Sequence, residues 1–171
     1  MALMISQGIP MLLMGDEYGH SKDGNNNSWC QDNALNWQQW GQENSFYRFY
    51  KLMVQFRKRH PSLRQTHFLT PKEIDWHGKE PLKPNWSSTE NFIAFTLKAT
   101  DPSQTLYIAF NAQGQEVKVH LPQPPKFKTW RWIANTANPS PKDFFGDGEG
   151  PLQVELQLSM PSYSSLILKA Q

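Results

Sequence analysis

Short hydrogen-bonding side chains are concentrated in one stretch near the start of the chain, GDEYGHSKDGNNNSWCQDN at residues 15–33. Aromatic residues are interleaved with them, and Trp37 and Trp40 follow closely. Amide and carboxylate groups can bind the hydroxyls of a sugar, and aromatic rings can stack on its apolar C–H faces. The composition therefore favours carbohydrate binding, through Tyr18, Asn25, Asn26, Asn27, Trp29, Gln31, Asp32 and Asn33.

Two other interpretations of the same stretch stay open. The first is calcium binding by its oxygen donors, although their spacing does not match a helix-loop-helix calcium loop. These donors are Asp16, Glu17, Asp23, Asn25, Asn27 and Asp32. The second is purely local structure, because Asn, Asp and Gly also satisfy backbone groups in irregular loops.

The remaining reactive side chains do not form a recognisable catalytic set. Cys30 is the only cysteine, which excludes an intrachain disulfide. We expect it to be a buried packing residue, because nothing marks it as an activated thiol. His60, His67, His77 and His120 are scattered without the spacing of metal ligands. These side chains therefore predict neither a metal site nor a cofactor, and none is expected in this chain.

The elements that position the polar stretch can be inferred from its flanks. Residues 8–15, GIPMLLMG, form a continuous apolar run typical of a strand buried on both faces of a parallel sheet. Residues 1–7 look like the end of a helix. After the loop, Ser45 is the expected N-cap of a helix that stops at Pro61. Its apolar face comprises Phe46, Phe49, Tyr50, Met53 and Phe56.

From about residue 66 the pattern changes to short alternating segments separated by turn-forming residues. This pattern predicts an antiparallel β-sandwich or barrel. Strands are expected at 92–98, 105–111, 116–121, 129–135, 152–158 and 165–170, with a turn at 146–151. Trp130 and Trp132 fall on one strand face and are expected in the core, with a surface sugar platform as the alternative.

Charge and hydropathy narrow the choice of partner. The net charge is +2, and neither half carries the basic stripe typical of nucleic-acid binding, so no nucleic-acid partner is expected. The apolar opening has no preceding Lys or Arg and is too short to span a bilayer, so we expect no signal peptide and no membrane partner. A soluble intracellular protein with a neutral polar ligand fits this balance.

The stretch SQGIPMLLMGDEYGHSKDGNNNSWCQDNALNW at 6–37 closely resembles the segment after the last barrel strand of isoamylase-type debranching enzymes. These are bacterial glycogen-debranching enzymes and plant starch isoamylases of the α-amylase superfamily, glycoside hydrolase family 13. The resemblance covers essentially the whole chain. It continues through FRKRHPSL at 56–63, IDWHGKEPLKPNWS at 74–87, YIAFNAQGQEVKVHLP at 107–122 and MPSYSSLIL at 160–168.

The resemblance implies an α+β fragment with two parts. Residues 1–65 would be the end of a (β/α)8 barrel: its eighth strand, a substrate loop and its eighth helix. Residues 66–171 would be the antiparallel β-sandwich domain that follows the barrel. Loops after parallel barrel strands lie at the face where active sites form.

The resemblance also implies the site and its limits. The substrate-binding set becomes Asp16, Glu17, Tyr18, Asn25, Asn26, Asn27, Trp29, Gln31, Asp32 and Asn33. The family takes its catalytic carboxylates from earlier barrel strands, so no catalytic residue is expected in this chain, and the chain alone is expected to be inactive. Asp16 and Glu17 cannot replace that pair, because neighbours at a strand end point to opposite faces. One of them is expected to brace the loop backbone.

The implied partner is a branched α-glucan such as glycogen, starch or limit dextrin. The implied location is the bacterial cytoplasm or the plastid stroma. The alternative is a non-catalytic α-glucan-binding or regulatory module, and the oligomeric state stays open.

Overall fold

The computed structural model describes residues 1–86 and 90–171. Ser87, the last residue of the quoted motif at 74–87, lies outside the described residues. The chain divides into two compact units, which we call the N-terminal unit (Met1–Arg64) and the C-terminal unit (Gln65–Gln171). In the described part of the chain, no helix combines the length and apolar character needed to cross a bilayer.

The N-terminal unit contains one long helix. Its elements are helices α1 (Ala2–Ile5) and α2 (Ser45–Arg59), and 3-10 turns at Asp16–Tyr18 and Pro61–Leu63. The N-cap of α2 is Asn44, not Ser45 as predicted, because the Asn44 side chain accepts a hydrogen bond of 2.8 Å from the Tyr47 amide. The helix ends before Pro61, as predicted.

The predicted apolar face of α2 is buried only toward its C-terminal end. Met53 and Phe56 are buried, whereas Phe49 and Tyr50 are half-buried and Phe46 is exposed. The helical periodicity of the face is therefore confirmed, but its full burial is not.

The predicted buried strand at 8–15 is wrong for this structure. The run has no strand geometry, and its apolar side chains are open to solvent, with Ile9 97% exposed. A parallel strand exists only when neighbouring strands accept and donate its backbone hydrogen bonds. The described residues of the N-terminal unit form no strand, so the run at 8–15 has no neighbouring strand with which to pair.

Arg57 fixes the segment that leads into this apolar run. Its Nη1 donates to the carbonyls of Met4 at 2.8 Å and Ser6 at 2.7 Å, and its Nη2 donates to the carbonyl of Gly8 at 2.5 Å. Burial lowers the pKa of the Arg57 guanidinium, and the nearby positive charge of Arg64 lowers it further. The three carbonyls replace the water that this buried cation loses.

The C-terminal unit is an antiparallel β structure with two sheets. Its strands are β1 (Ile74–His77), β2 (Phe92–Leu97), β3 (Leu106–Asn111), β4 (Val117–His120), β5 (Trp130–Asn135), β6 (Leu152–Gln153), β7 (Gln157–Met160) and β8 (Ser164–Ala170). The larger sheet has the order β1-β2-β3-β8-β5-β6, and the smaller one pairs β4 with β7. The last strand therefore lies inside the larger sheet, between β3 and β5.

The predicted antiparallel β fold is confirmed for this unit. Each of the six predicted segments contains a strand, but the segment 152–158 is divided between β6 and β7. The predicted turn at 146–151 connects β5 to β6, with the Glu149 amide donating to the Gly146 carbonyl at 3.0 Å. Strand β1 was not predicted, because its four residues show no alternation over a useful length.

The core contains buried side chains from both sheets. Alternation places Val117 and Val119 of β4 inside and Lys118 and His120 outside. Trp130 is only 1% exposed, and Trp132 is partly buried against the same cluster. The core assignment of the two tryptophans is therefore confirmed, and Trp130 has no face open to a sugar.

Candidate functional site

Tyr18 is the centre of a hydrogen-bond network that closes the polar loop. Its hydroxyl lies 2.8 Å from His20 Nδ1 and 3.0 Å from Gln38 Oε1, and it accepts a hydrogen bond of 3.2 Å from the Gln39 amide. The Tyr18 carbonyl accepts a further bond of 3.1 Å from Asn44 Nδ2, at the N-cap of α2. Through its hydroxyl and its backbone carbonyl, Tyr18 thus joins the start of the loop, its far end and the helix that follows.

His20 extends this network across the loop. Its Nε2 lies 2.9 Å from the Leu35 carbonyl and 3.2 Å from Lys22 Nζ. Its Nδ1 lies 2.8 Å from the Tyr18 hydroxyl. Lys22 Nζ donates to the same Leu35 carbonyl at 3.2 Å. The ring therefore acts as a fixed spacer between two parts of the loop.

The carboxylates of Asp16 and Glu17 both bind backbone amides. Asp16 Oδ2 accepts from the Leu13 amide at 2.9 Å, and Glu17 Oε2 accepts from the Gly15 amide at 2.8 Å. Burial and the negative charges of these two carboxylates raise the pKa of the Tyr50 hydroxyl. Both acids thus stabilise the 3-10 turn that starts the loop.

Gly15 is required by the tightness of this turn. Its φ of +100° is a left-handed conformation that favours glycine. An added Cβ would lie 2.8 Å from both Gln38 Oε1 and His20 Cβ. The turn can therefore approach the Tyr18 network only without a side chain at this position.

The asparagine-rich segment satisfies many of its own polar groups. Asn25 Nδ2 donates to Gln31 Oε1 at 3.1 Å, and the Asn25 Oδ1 accepts from the Asn27 amide at 3.0 Å. Asn33 Oδ1 accepts from the Leu35 amide at 3.0 Å. The structural interpretation therefore accounts for these amides whether or not the loop binds a ligand.

Other residues of the segment leave surface available to a ligand. Asp32 Oδ1 accepts from the Trp37 indole at 2.7 Å, which holds that exposed ring beside the loop. Trp29 is 80% exposed, and Asn26, three residues before it, is also exposed. Exposed indoles on a polar loop are the groups expected to stack on sugar faces.

A cleft of about 490 Å3 opens beside Tyr18. It is lined by Tyr18, Gly19, His20, Ser21, Asp23, Ala34, Leu35, Gln39, Gln42 and Asn44. Tyr18 belongs to the predicted site, whereas the other predicted residues lie in the adjoining segments 16–17 and 25–33. Gln39, Gln42 and Asn44 were missed, although the amide-rich sequence QQWGQEN at 38–44 continues the same polar signal.

Cys30 corrects one expectation directly. It is exposed, with a left-handed φ of 67°, and not the buried packing residue that was predicted. The loop carries too few apolar side chains around it to form a core of its own. Within the described residues, no three His, Cys, Asp or Glu side chains converge as a metal site would require.

Comparison with known proteins gives a consistent picture. The family model described as Isoamylase 1-3, C-terminal, matches residues 75–168. The chloroplastic isoamylase SU1 of Zea mays is 42% identical over 97% of this chain and 23% of its own length. The glycogen debranching enzyme of Pectobacterium carotovorum is 38% identical over 71% of this chain and 18% of its own.

A solved structure shares the fold of nearly the whole chain. The pullulanase of Anoxybacillus sp. LM18-11, determined in complex with maltotetraose, superposes with a TM-score of 0.70 at 18% identity. The match covers 98% of this chain and 22% of the pullulanase. The chain thus spans less than a quarter of the length of each of these proteins.

Proposed function

Because the chain belongs to the isoamylase family, we propose that it is the C-terminal part of a retaining glycosidase that hydrolyses α-1,6 branch linkages. The substrate is a branched α-glucan: glycogen, starch or limit dextrin. The observation that carries this proposal is the match of residues 75–168 to the isoamylase C-terminal region. Relatives named as chloroplastic and as bacterial support a location in a plastid or in the bacterial cytoplasm.

We infer that the N-terminal unit is the last β/α unit of a TIM barrel. The exposed apolar side chains of the run 8–15 support this assignment, because a barrel strand is buried by its neighbours on both sides. The run takes up strand geometry when the other barrel strands are present. The fold likeness to a pullulanase over 98% of the chain points the same way.

In this assignment the polar loop is one wall of the glucan cleft. Asp16, Glu17, Tyr18 and His20 hold the wall in shape, because their polar groups bind other parts of the loop. Trp29 is the residue that stacks on a glucose ring, since its indole is open to solvent. The remaining predicted residues, Asn25, Asn26, Asn27, Gln31, Asp32 and Asn33, supply hydroxyl-binding amide and carboxylate groups around it.

The hydrolytic carboxylates come from the rest of the barrel. Retaining hydrolysis needs a nucleophilic carboxylate and a carboxylic acid about 5 Å apart across the glycosidic bond. We assign Asp16 and Glu17 a structural role instead, because each carboxylate accepts a backbone amide of the turn that starts the loop. Alone, the chain is therefore expected to release no reducing ends from glycogen.

A chimera tests the proposal. The upstream part of the Zea mays isoamylase is joined to this chain at the position that matches Met1, and the release of linear chains from glycogen is measured. Release by the chimera, with none from the chain alone, supports the proposal. A folded chimera that releases nothing contradicts it. In the Trp29→Ala chimera we expect a raised KM with a smaller change in kcat.

A second candidate is a non-catalytic α-glucan-binding module, which the exposed Trp29 of this chain favours. It is tested by electrophoresis of the 171-residue chain through gels that contain glycogen. Retardation that is lost in Trp29→Ala, and retained in Phe127→Ala, supports binding through the loop. Phe127 is a matched control because its ring is 91% exposed in the other unit.

A further inference from the structure

Three aromatic rings form a cluster near the β1 edge of the larger sheet, on the face opposite the core around Trp130. Further from this edge the same face is buried, with Ile108 and Ile167 both 0% exposed. Strand register places Trp76 of β1 directly opposite Phe95 of β2, and their ring centroids are 5.2 Å apart. Ala94, the neighbour of Phe95, belongs to the buried core. Because side chains alternate along a strand, Phe95 and Trp76 must point to the opposite side.

Trp86 completes the cluster from the segment that follows β1. Its ring meets Trp76 edge to face, with centroids 5.4 Å apart and an interplanar angle of 74°. Trp76 is 38% exposed and Trp86 is 66% exposed. Two large indoles packed on each other at a surface are a feature of binding sites more than of ordinary protein surfaces.

The segment 78–83, which leads to Trp86, is tied to its surroundings at several points. The Leu82 amide donates to His77 Nδ1 at 2.9 Å, and the His120 amide donates to the Lys79 carbonyl at 2.8 Å. Gly78 lies so close to the Lys83 carbonyl that an added Cβ would be 2.2 Å from that oxygen. Order in this segment before binding reduces the entropy lost when a ligand contacts the neighbouring indole.

Most carboxylates and lysines of these segments bind one another. Lys79 forms an ion pair with Glu90, Asp75 forms one with Lys98 at 2.8 Å, and Glu80 lies 2.6 Å from His120 Nδ1. With Lys83 the segments carry three acidic and three lysine side chains, Asp75, Glu80, Glu90, Lys79, Lys83 and Lys98, so little net charge remains to attract an ionic ligand or a charged peptide. An exposed aromatic surface with a neutral polar surround suits a sugar, whose hydroxyls bind polar groups and whose C–H faces stack on rings.

We propose that Trp76 and Trp86 form a second α-glucan-binding site, located on the β-sandwich and separate from the polar loop. The ligand is an α-1,4-linked chain, because such a chain turns at each linkage and presents successive glucose rings at an angle. Two indoles at 74° can each stack one of these rings, whereas a flat β-linked chain needs coplanar platforms. The inference takes its ligand class from the proposed function and depends on it in no other respect.

The test measures maltoheptaose binding to the full chain by calorimetry, with cellohexaose as the β-linked comparison. We expect Trp86→Ala to weaken binding by about tenfold, since truncating a central aromatic anchor typically costs a factor of this size. Trp86→Tyr keeps a stacking ring and should retain most of the affinity. Phe127→Ala removes a still more exposed ring outside the cluster and should change nothing.

A second measurement guards against misfolding of the variants. The indole N–H resonance of Trp86, assigned from its loss in Trp86→Ala, should shift when maltoheptaose is added to the wild-type chain. The proposal is overturned if this resonance does not move, if Trp86→Ala binds like wild type, or if cellohexaose binds equally well. If Trp29→Ala abolishes binding and Trp86→Ala does not, only the polar loop binds the glucan, and the proposed site on the β-sandwich is refuted.

Discussion

Arg57→Lys is the substitution whose effect can be worked out most fully from the structure. The guanidinium of Arg57 serves three carbonyls, those of Met4, Ser6 and Gly8, through two nitrogen atoms. Lysine keeps the positive charge but concentrates its donors at one nitrogen, so it cannot reproduce this fork. The segment before the polar loop should therefore separate from α2 more often.

The size of the effect follows from the bonds that are lost. A hydrogen bond from a charged donor contributes about 1.5–3 kcal/mol. If lysine retains one of the three bonds, the lower end of that range gives a loss of about 3 kcal/mol. Such a loss corresponds to about a hundredfold increase in the local opening equilibrium.

Amide hydrogen exchange measures this opening at single residues. The Met4 and Ser6 amides are suitable probes, because they donate to the carbonyls of Met1 and Ala2 within the anchored segment. Arg59→Lys is the matched control, since Arg59 is an exposed residue of the same helix end. Unchanged protection of Met4 and Ser6 in Arg57→Lys would refute the reasoning, as would an equal loss in the control.

Three further predictions concern the loop network and the β-sandwich. Tyr18→Phe removes the hydroxyl that accepts from the Gln39 amide, at a cost of about 1–3 kcal/mol. That amide should therefore exchange about fivefold to a hundredfold faster, while the exchange of β3 amides stays unchanged. Burial lowers the pKa of His77 below its ordinary 6.5, and Nδ1 must stay unprotonated to accept the Leu82 amide. Unfolded His77 therefore binds a proton first, and the stability of the C-terminal unit should fall as pH drops from 6.5 toward the lower folded pKa. The melting temperature of His77→Gln should therefore change less with pH over this range than that of the wild type. Gly78→Ala forces its Cβ against the Lys83 carbonyl and should lower stability by about 1–3 kcal/mol, more than Gly114→Ala, whose Cβ meets only the end of the Tyr163 side chain. Equal melting temperatures for these two variants would contradict the close packing of the loop.

The strands of the C-terminal unit were predictable because their signal is local. Alternation of buried and exposed residues, as in Val117 to His120, is set by the two-residue repeat of a strand and by turn residues on each side. The run at 8–15 carries an equally strong apolar signal, but a parallel strand depends on partners distant in the sequence. Local pattern alone therefore predicted the strands of the C-terminal unit correctly, whereas the run at 8–15 has no strand geometry in this structure.

The site shows the same division between local composition and long-range contact. The polar stretch could be recognised as a distinct loop from its amides and aromatic residues, and its role in carbohydrate binding stays a prediction. The role of Tyr18 as the centre of a network was not, because its partners Gln38 and Gln39 lie about twenty residues further along the chain. Arg57 gives a similar case: its bonds join residues 49 to 53 positions apart, and no short motif encodes such a distance.

The central position of β8 has a consequence for how the protein is made. Strands β3 and β5 both pair with β8 and not with each other, so each waits for Ser164–Ala170. During synthesis the larger sheet stays in two halves until these residues leave the ribosome, and pairing over such separations is slow. Loss of Ser164–Ala170 would thus remove the middle of the sheet and not its margin.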